Sequence, residues 1–367
     1  DNVGKTPSAI SDYWDLLALK GEDGEGQVDA VISPLTDGSP TTAAQVNAII
    51  DTIAAKGGGT IKFLVGQYGF NDDINLKSGV AIIPETPGGV LFSFAGTNKG
   101  VKIHGTLIYD TGTVSITQGT NTVTGHGTLF EANVTAGQKI FLYDKYWTIA
   151  SVDSDTQLTL STNYTAQTLT EESYVIVNTI ESVTVGLFAI FGSSGAGISI
   201  QYAASIFPDM ILIGNDIGVK FNKATIVNVT VFLGDSNRVH LYGDTNKTSI
   251  REGAMENSTE KGLHLTNGIS NHFEDIGIWN SGQEGIYVEN AKESIISGVF
   301  TYFSGADGIK MVNTKALKLA NSFSKYNTGN GLTIDSDCED NIVVGCDLGE
   351  NTGDDIDDSG TRTVISG

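Results

Sequence analysis

Between residues 262 and 353 apolar and polar positions alternate in short bursts that recur at a fixed distance. Four bursts open with glycine: Gly262-Leu263-His264-Leu265, Gly285-Ile286-Tyr287-Val288, Gly308-Ile309-Lys310-Met311 and Gly331-Leu332-Thr333-Ile334. Successive glycines stand 23 residues apart. Apolar–polar–apolar alternation is the two-residue period of a half-buried strand. Leu263, Ile286, Ile309 and Leu332 then form one inward column, and Leu265, Val288, Met311 and Ile334 the next. His264, Tyr287, Lys310 and Thr333 point outward between them. Asn267, Asn290 and Asn313 recur five residues after a glycine. Asparagine tolerates left-handed backbone, so these read as a ladder at a corner. Phe300 and Phe323 share a later column, with Cys346 below them.

One such burst cannot bury its apolar face alone, whereas stacked coils can. Gly, Asn, Ser and Thr fill the intervals with no 3.6-residue stripe, which argues against a helical or leucine-rich solenoid. The pattern predicts an all-β chain, a parallel β-helix with one coil per roughly 20–24 residues. Looser copies extend it upstream: Gly197-Ile198-Ser199-Ile200, Gly218-Val219-Lys220-Phe221 and Arg238-Val239-His240-Leu241, and before them Gly79-Val80, Gly100-Val101 and Thr60-Ile61. Asp355-Ile356 opens a last coil. Roughly eleven or twelve coils at about 4.8 Å each give a rod of about 55 Å.

Other stretches break the period. Thr42 and Gln45 form a capping box, and Val46, Ile49, Ile50 and Ile53 mark one face of a helix ending at Gly57-Gly58-Gly59. A helix with an apolar face just before the first coil is placed to cover the open end of the stack, which otherwise is a bare strand edge. Residues 111–178 hold short strands about ten residues apart, which read as a small antiparallel barrel or sandwich inserted between coils. It is either a spacer or an added sugar-binding surface bearing Tyr143, Tyr146 and Trp147. Residues 244–260 are polar and read as a protruding loop. Residues 1–40 form a polar lead with a short helix candidate at 13–19 and a glycine-rich run from Lys20; this lead is a linker or an attachment segment. The division is therefore 1–40, 41–110 with the helix and first coils, 111–178, and 179–367 as the main β-helix.

Composition narrows the partners. The 43 acids against 21 bases leave a net charge of −22, which argues against nucleic acid. The two cysteines, Cys338 and Cys346, make no disulfide framework and read as reduced residues in or near the core. No signal peptide is visible, and no run of 18 apolar residues offers a membrane span.

On a β-helix one outward residue per coil makes a row. That row reads Lys220, His240, His264, Tyr287, Lys310, Thr333, an unusual concentration of cationic and aromatic groups in so acidic a chain. Glu284 and Asp307 precede the repeat glycine in successive coils, and Asn330 and Asp354 continue their column. Carboxyls one coil apart approach the roughly 5 Å separation of a retaining glycosidase, and two coils apart the wider inverting gap. Stacked like charges push one pKa up, so that one carboxyl serves as acid and the other as base or nucleophile. Trp279 and Tyr302 share a column shortly before them and are candidate sugar platforms. His264, Tyr287 and Lys310 also compose a base, an acid and a carboxylate-holding cation, the set needed to eliminate across a uronate. The acids Asp354, Asp355, Asp357 and Asp358 lack the ligand spacing of a calcium loop. No motif calls for a metal or cofactor.

The stretch from Gly59 to Tyr68 carries a resemblance. A cap helix, a triple glycine, a strand and then Pro-x-Gly-x-Tyr mark the pectate-lyase-like right-handed β-helix superfamily. Here Leu64 stands where that proline is usual, and Gly66 and Tyr68 fit. With the Tyr13-Trp14-Asp15-Leu16-Leu17 lead, the chain resembles a bacteriophage tailspike or tail fibre. The resemblance implies a homotrimer in the virion tail, held to the tail or baseplate through its N-terminus, with a bacterial surface polysaccharide as partner. Three functions follow: a glycosidase using Glu284 and Asp307, a spike that binds without cleaving, or a polysaccharide lyase using His264, Tyr287 and Lys310.

Overall fold

The computed structural model describes residues 28–34 and 42–366. The helix candidate at 13–19 and the glycine-rich run after it lie outside the described residues. The rest is nearly all strand, wound as a parallel β-solenoid of about 13 turns. Each regular coil contributes one strand to each of three parallel sheets. In the repeat region the first sheet takes Ile295–Ser297, Lys318–Ala320 and Ile342–Val344; the second takes Ile276–Trp279, Phe300–Tyr302 and Phe323–Lys325. The third takes the glycine-led strands Leu263–Ile269, Ile286–Glu289, Ile309–Val312 and Leu332–Ile334.

Register in the third sheet follows the 23-residue period: Leu263 pairs with Ile286, Ile286 with Ile309, and Ile309 with Leu332. All four side chains are buried, as are Leu265, Val288, Met311 and Ile334. Each contributes roughly 1.5–3 kcal/mol by leaving water. The repeat glycines do not sit at left-handed corners. They occur where a coil turns into the third sheet, and a Cβ there would strike the next rung: 2.7 Å from Gly285 O at Gly262, and 2.2 Å from Leu348 O at Gly331. Left-handed backbone falls instead on residues such as Asn280, Asn290 and Asn313. Asn313 Nδ2 donates to Asn290 Oδ1 at 2.7 Å, forming a corner ladder, whereas Asn267 lies outside it and pairs in register with Asp244. Phe300 and Phe323 stack at 5.2 Å with rings 4° from parallel. Below Phe323 comes Asp347 rather than Cys346, whose thiol turns back to the Leu319 and Val344 carbonyls.

The helix Ala43–Ala54 starts at Thr42, whose side chain accepts from the Gln45 amide while the Gln45 side chain accepts from the Thr42 amide. Ala43, Val46, Ile50 and Ile53 are buried in the same core as the first coils. The stack begins earlier than the alternation indicated, because Ala30–Ile32 pairs in parallel with Ile61 to Phe63. Tyr68 ties this start together, donating its buried hydroxyl toward the Ile32 and Leu64 carbonyls, each at 2.9 Å.

The stretch 244–260 is not a protruding loop. Val239–Asn246 and Ser249–Glu256 are strands of the stack. The polar residues that suggested a loop are inside it: Thr245, Asn246 and Thr248 are buried, with the Thr245 and Thr248 hydroxyls 2.5 Å apart and Thr248 N donating to Asn271 Oδ1. Inward Asn, Ser and Thr pair from rung to rung, so polarity does not mark exposure here.

An antiparallel module of eight strands leaves the rod after Val101–His104 and returns at Ile180. It starts at Thr106–Tyr109, which pairs with Val175–Asn178, a few residues before the boundary read from the sequence. Its own core includes Trp147, Tyr164 and Ile176.

Candidate functional site

The outward row of the third sheet runs Lys102, Ser199, Lys220, Tyr242, His264, Tyr287, Lys310, Thr333 and Asp357. Lys220, His264, Tyr287 and Lys310 therefore stand where the alternation placed them. His240 does not. Leu241 pairs with Leu263, so His240 occupies the position of a repeat glycine and Tyr242 takes the outward place. With no exposed surface, the His240 ring lies inside the coil. Its Nδ1 accepts from Asn237 Nδ2 at 2.8 Å and its Nε2–H donates to Glu256 O at 3.0 Å. Gly234 leaves the room it needs. The alternation missed this because Val239 and Leu241 are both buried, and a two-residue slide leaves such a pattern unchanged.

Burial pushes the His240 pKa down to about 4. The unfolded chain binds this proton near pH 6.5 and the folded chain does not until about 4. Stability is then intact above pH 6.5 and falls as pH drops toward 4, by roughly 3 kcal/mol in full. His240→Gln is expected to flatten this part of the melting-temperature profile relative to wild type. Parallel profiles for the two proteins would show that His240 does not carry the effect.

A compact cluster surrounds His264. The Tyr242 and Tyr287 rings meet it edge-on at 5.0 and 4.9 Å, and its Nε2 lies 3.3 Å from Glu289 Oε1. Burial, opposed by Glu289, lowers the His264 pKa. The ring is therefore neutral at pH 7 and able to accept a proton. Burial, with Glu289 and Glu284 adding to it, raises the Tyr287 pKa and keeps its hydroxyl protonated.

Glu284 stands two residues before Ile286, at the edge of the same face. Backbone bonds stack its column: Gly262 N donates to Glu284 O, Gly285 N to Asp307 O, and Gly308 N to Asn330 O. Lys261 precedes Glu284 in that column. Its Nζ is 3.5 Å from Glu284 Oε2, donates to Gln283 Oε1 at 2.8 Å, and lies 5.0 Å from the Tyr287 ring centre. Nothing in the sequence pattern singled out Lys261, because the strand signal starts one residue later. Glu284 Oε2 is buried and has no hydrogen-bond partner among the described residues. Asp307 is tied more firmly to the turn, with Oδ1 accepting from Asn330 N at 2.8 Å. The same bond recurs one coil on, from Asp354 N to Asn330 Oδ1.

Trp279 and Tyr302 pair in register on the second sheet, around the corner from His264. The Trp279 indole folds back over Gly277, where a Cβ would lie 1.9 Å from the ring. Tyr302 joins an aromatic patch, with Tyr326 at 6.2 Å and Phe303 at 6.3 Å. The two proposed platforms are thus separated from the His264 row. Two of the three aromatics read as a sugar surface on the inserted module are also occupied elsewhere: Trp147 lies in its core, and Tyr146 donates to Lys223 O of the rod at 2.5 Å. No group of three metal-ligating side chains occurs among the described residues.

No family model and no curated protein matches the chain. Solved structures do. The gp54 tailspike of Acinetobacter baumannii bacteriophage AP22, solved with A. baumannii capsular saccharide, aligns with a TM-score of 0.50 at 12% identity over 83% of this chain. The likeness is one of fold, a parallel β-helix. This chain spans 58% of the length of that protein. The tailspike gp61 of Pseudomonas phage phi297 aligns at a TM-score of 0.46 and 12% identity, covering 90% of this chain and 63% of its own. The A-module of the mannuronan C-5 epimerase AlgE4 of Azotobacter vinelandii aligns at 0.44 and 13% identity, over 89% of this chain and 96% of its own. No described helix is long and apolar enough to cross a membrane.

Proposed function

We propose that this chain is a phage tailspike depolymerase that lays a bacterial surface polysaccharide along the outer face of the third sheet and hydrolyses it. The observation that carries the reading is Glu284 Oε2, a buried carboxyl oxygen beside the aromatic row that makes no hydrogen bond among the described residues and faces only the Lys261 ammonium at 3.5 Å. The Lys261 contact offsets part of the cost of burying this oxygen and leaves it free to hydrogen-bond a further group. A glycosidic oxygen bound there would accept the proton of Glu284 acting as general acid. Asp307, one rung on, serves as nucleophile, since rung spacing of about 4.8 Å suits the retaining geometry. Tyr242, His264 and Tyr287 offer ring faces and hydrogen bonds to the sugars, with Lys220 and Lys310 at the ends of the row.

A second reading rests on His264 and Tyr287. A neutral imidazole beside a protonated phenol is the pair that β-elimination requires, with Lys310 or Lys261 holding a uronate carboxylate. Incubation with a panel of capsular and O-antigen polysaccharides tests both. Chain shortening without new ultraviolet absorbance supports hydrolysis, and shortening with a new double bond supports elimination. No shortening of any polymer, with binding retained, reduces the chain to a receptor-binding spike.

The spike is proposed to act as a homotrimer in the virion tail, attached to the tail or baseplate through the N-terminal segment. Its candidate contact face bears Phe303 and Tyr326, both exposed, with exposed Phe323 on the same sheet. Phe303 and Tyr326 already stack at 5.6 Å. An apolar patch of this kind on so acidic a surface needs a covering partner. Phe303→Ser with Tyr326→Ser is expected to shift light-scattering mass from three chains to one. An unchanged mass would place the interface elsewhere.

A further inference from the structure

The inserted module does more than decorate the rod, because a deep cleft lies between the two. Its volume is about 640 Å³, and a second lobe of about 320 Å³ shares Phe141, Tyr143, Lys223, Asn267 and Lys292 with it. Pockets that hold small ligands run from roughly 300 to 1,000 Å³. One wall is the hairpin that turns at Tyr143, between the strands Lys139–Leu142 and Lys145–Ser154. The other is the corner where coils leave the third sheet, at Asn267 and Asn290.

The walls are fixed relative to each other. Asp144 Oδ2 lies 2.8 Å from Lys247 Nζ of the rod, and Phe141, Val175 and Val177 form an apolar joint with Tyr202. Tyr143 holds a left-handed backbone at φ 60°, which a bulky residue rarely adopts. Its phenol faces the rod, where burial first and then Glu293 raise its pKa. The cleft lies one residue from the His264 cluster along the chain. Asn290 lines it, and the preceding Glu289 is the carboxylate that meets His264.

Its chemistry selects a ligand class. The lining offers the rings of Phe141, Tyr143 and Tyr174 and the amides of Gln167, Asn267 and Asn290. The acids Asp110, Glu172 and Asp244 outnumber the cations Lys223 and Lys292. Lys223 is already engaged, 3.8 Å from Asp244 and 5.2 Å from the Phe141 ring centre. An anionic sugar gains little in such surroundings. We propose that the cleft is a binding subsite for a neutral hydroxyl- or acetamido-bearing saccharide unit, extending the third-sheet groove sideways under the module. This rests on the groove reading above for the polymer itself.

The probe is a set of oligosaccharide fragments cut chemically from capsular and O-antigen polysaccharides, sorted into neutral and uronate-bearing pools and added to the full chain. Hydrogen exchange is read at 286–288 for the groove and at 142–145 and 172–175 for the cleft. Neutral fragments that protect the groove are expected to protect the cleft as well. Tyr143→Asn, which keeps a residue tolerant of left-handed backbone and removes the ring, is expected to weaken their binding tenfold or more with an unchanged melting temperature. Gln167→Ala is expected to weaken it in the same direction. Groove protection with no change at 142–145 and 172–175 overturns the subsite, as does unaltered binding to Tyr143→Asn. Cleft protection by uronate fragments alone overturns the ligand class. Cleft protection without groove protection leaves the subsite standing and removes the groove reading, and protection at neither overturns both.

Discussion

Glu284→Gln is expected to lower polysaccharide cleavage by a factor of roughly 10² to 10⁴, the usual worth of a positioned general acid. The exchange is isosteric, and Lys261 keeps its bond to Gln283, so the coil should fold as before. Binding of the intact polymer should survive, since the amide still fills the place of the carboxyl. Asp307→Asn should give a loss of similar order, because the amide oxygen can still accept from Asn330 N and leave the turn in place. Kinetics on a cleavable capsule, with melting temperatures measured beside them, separate chemistry from folding. Full activity in Glu284→Gln would remove the hydrolytic assignment, and an accompanying loss in His264→Ala would move the chemistry to the elimination pair.

The second large effect concerns stability. Gly308→Ala should destabilise the chain by roughly 2–4 kcal/mol, combining overpacking with disturbed buried hydrogen bonds. The added Cβ would lie 1.8 Å from Ser324 Oγ and 2.5 Å from Asn327 Nδ2. Neither can step aside. Ser324 Oγ donates to Gly331 O at 2.7 Å and accepts from Thr301 Oγ1 at 2.8 Å, while Asn327 Nδ2 reaches Asn351 Oδ1 at 2.9 Å in the next coil. The damage is therefore passed to both neighbouring rungs. Gly137→Ala is a contrasting control, because nothing lies within 4 Å of its added Cβ, although its φ of 92° alone carries some strain. Urea unfolding of both variants checks the argument, and a Gly308→Ala midpoint equal to wild type would contradict it.

These glycines explain why so much of the fold was legible. A glycine every 23 residues, followed by strict alternation, fixes both the coil length and the face of each side chain, and the register of Leu263, Ile286, Ile309 and Leu332 follows directly. Legibility failed where inward positions are polar. At His240 a side chain replaces the glycine and turns into the coil, and at Thr245, Asn246 and Thr248 a hydrogen-bonded ladder looks like a solvated loop in sequence. The site was half legible for a related reason. His264 and Tyr287 announce themselves by alternation, but Lys261 and Glu289 join them from a corner and a strand end, where no period applies. Trp279 and Tyr302 share a column as the spacing indicated, yet the corner at 280–285 turns that column onto another face. The cleft beside the inserted module has no signal in the sequence, since its two walls meet through the docking of Tyr146, Asp144 and the Phe141–Tyr202 joint on the rod.

The most direct test of the whole account is a crystal structure of the Glu284→Gln protein with a fragment of whichever polysaccharide the wild type shortens. Sugar density is expected along the outer face of the third sheet, against Tyr242, His264 and Tyr287, with a glycosidic oxygen at the position 284 side chain. Sugar bound only on the first or second sheet, with that row bare, would contradict it.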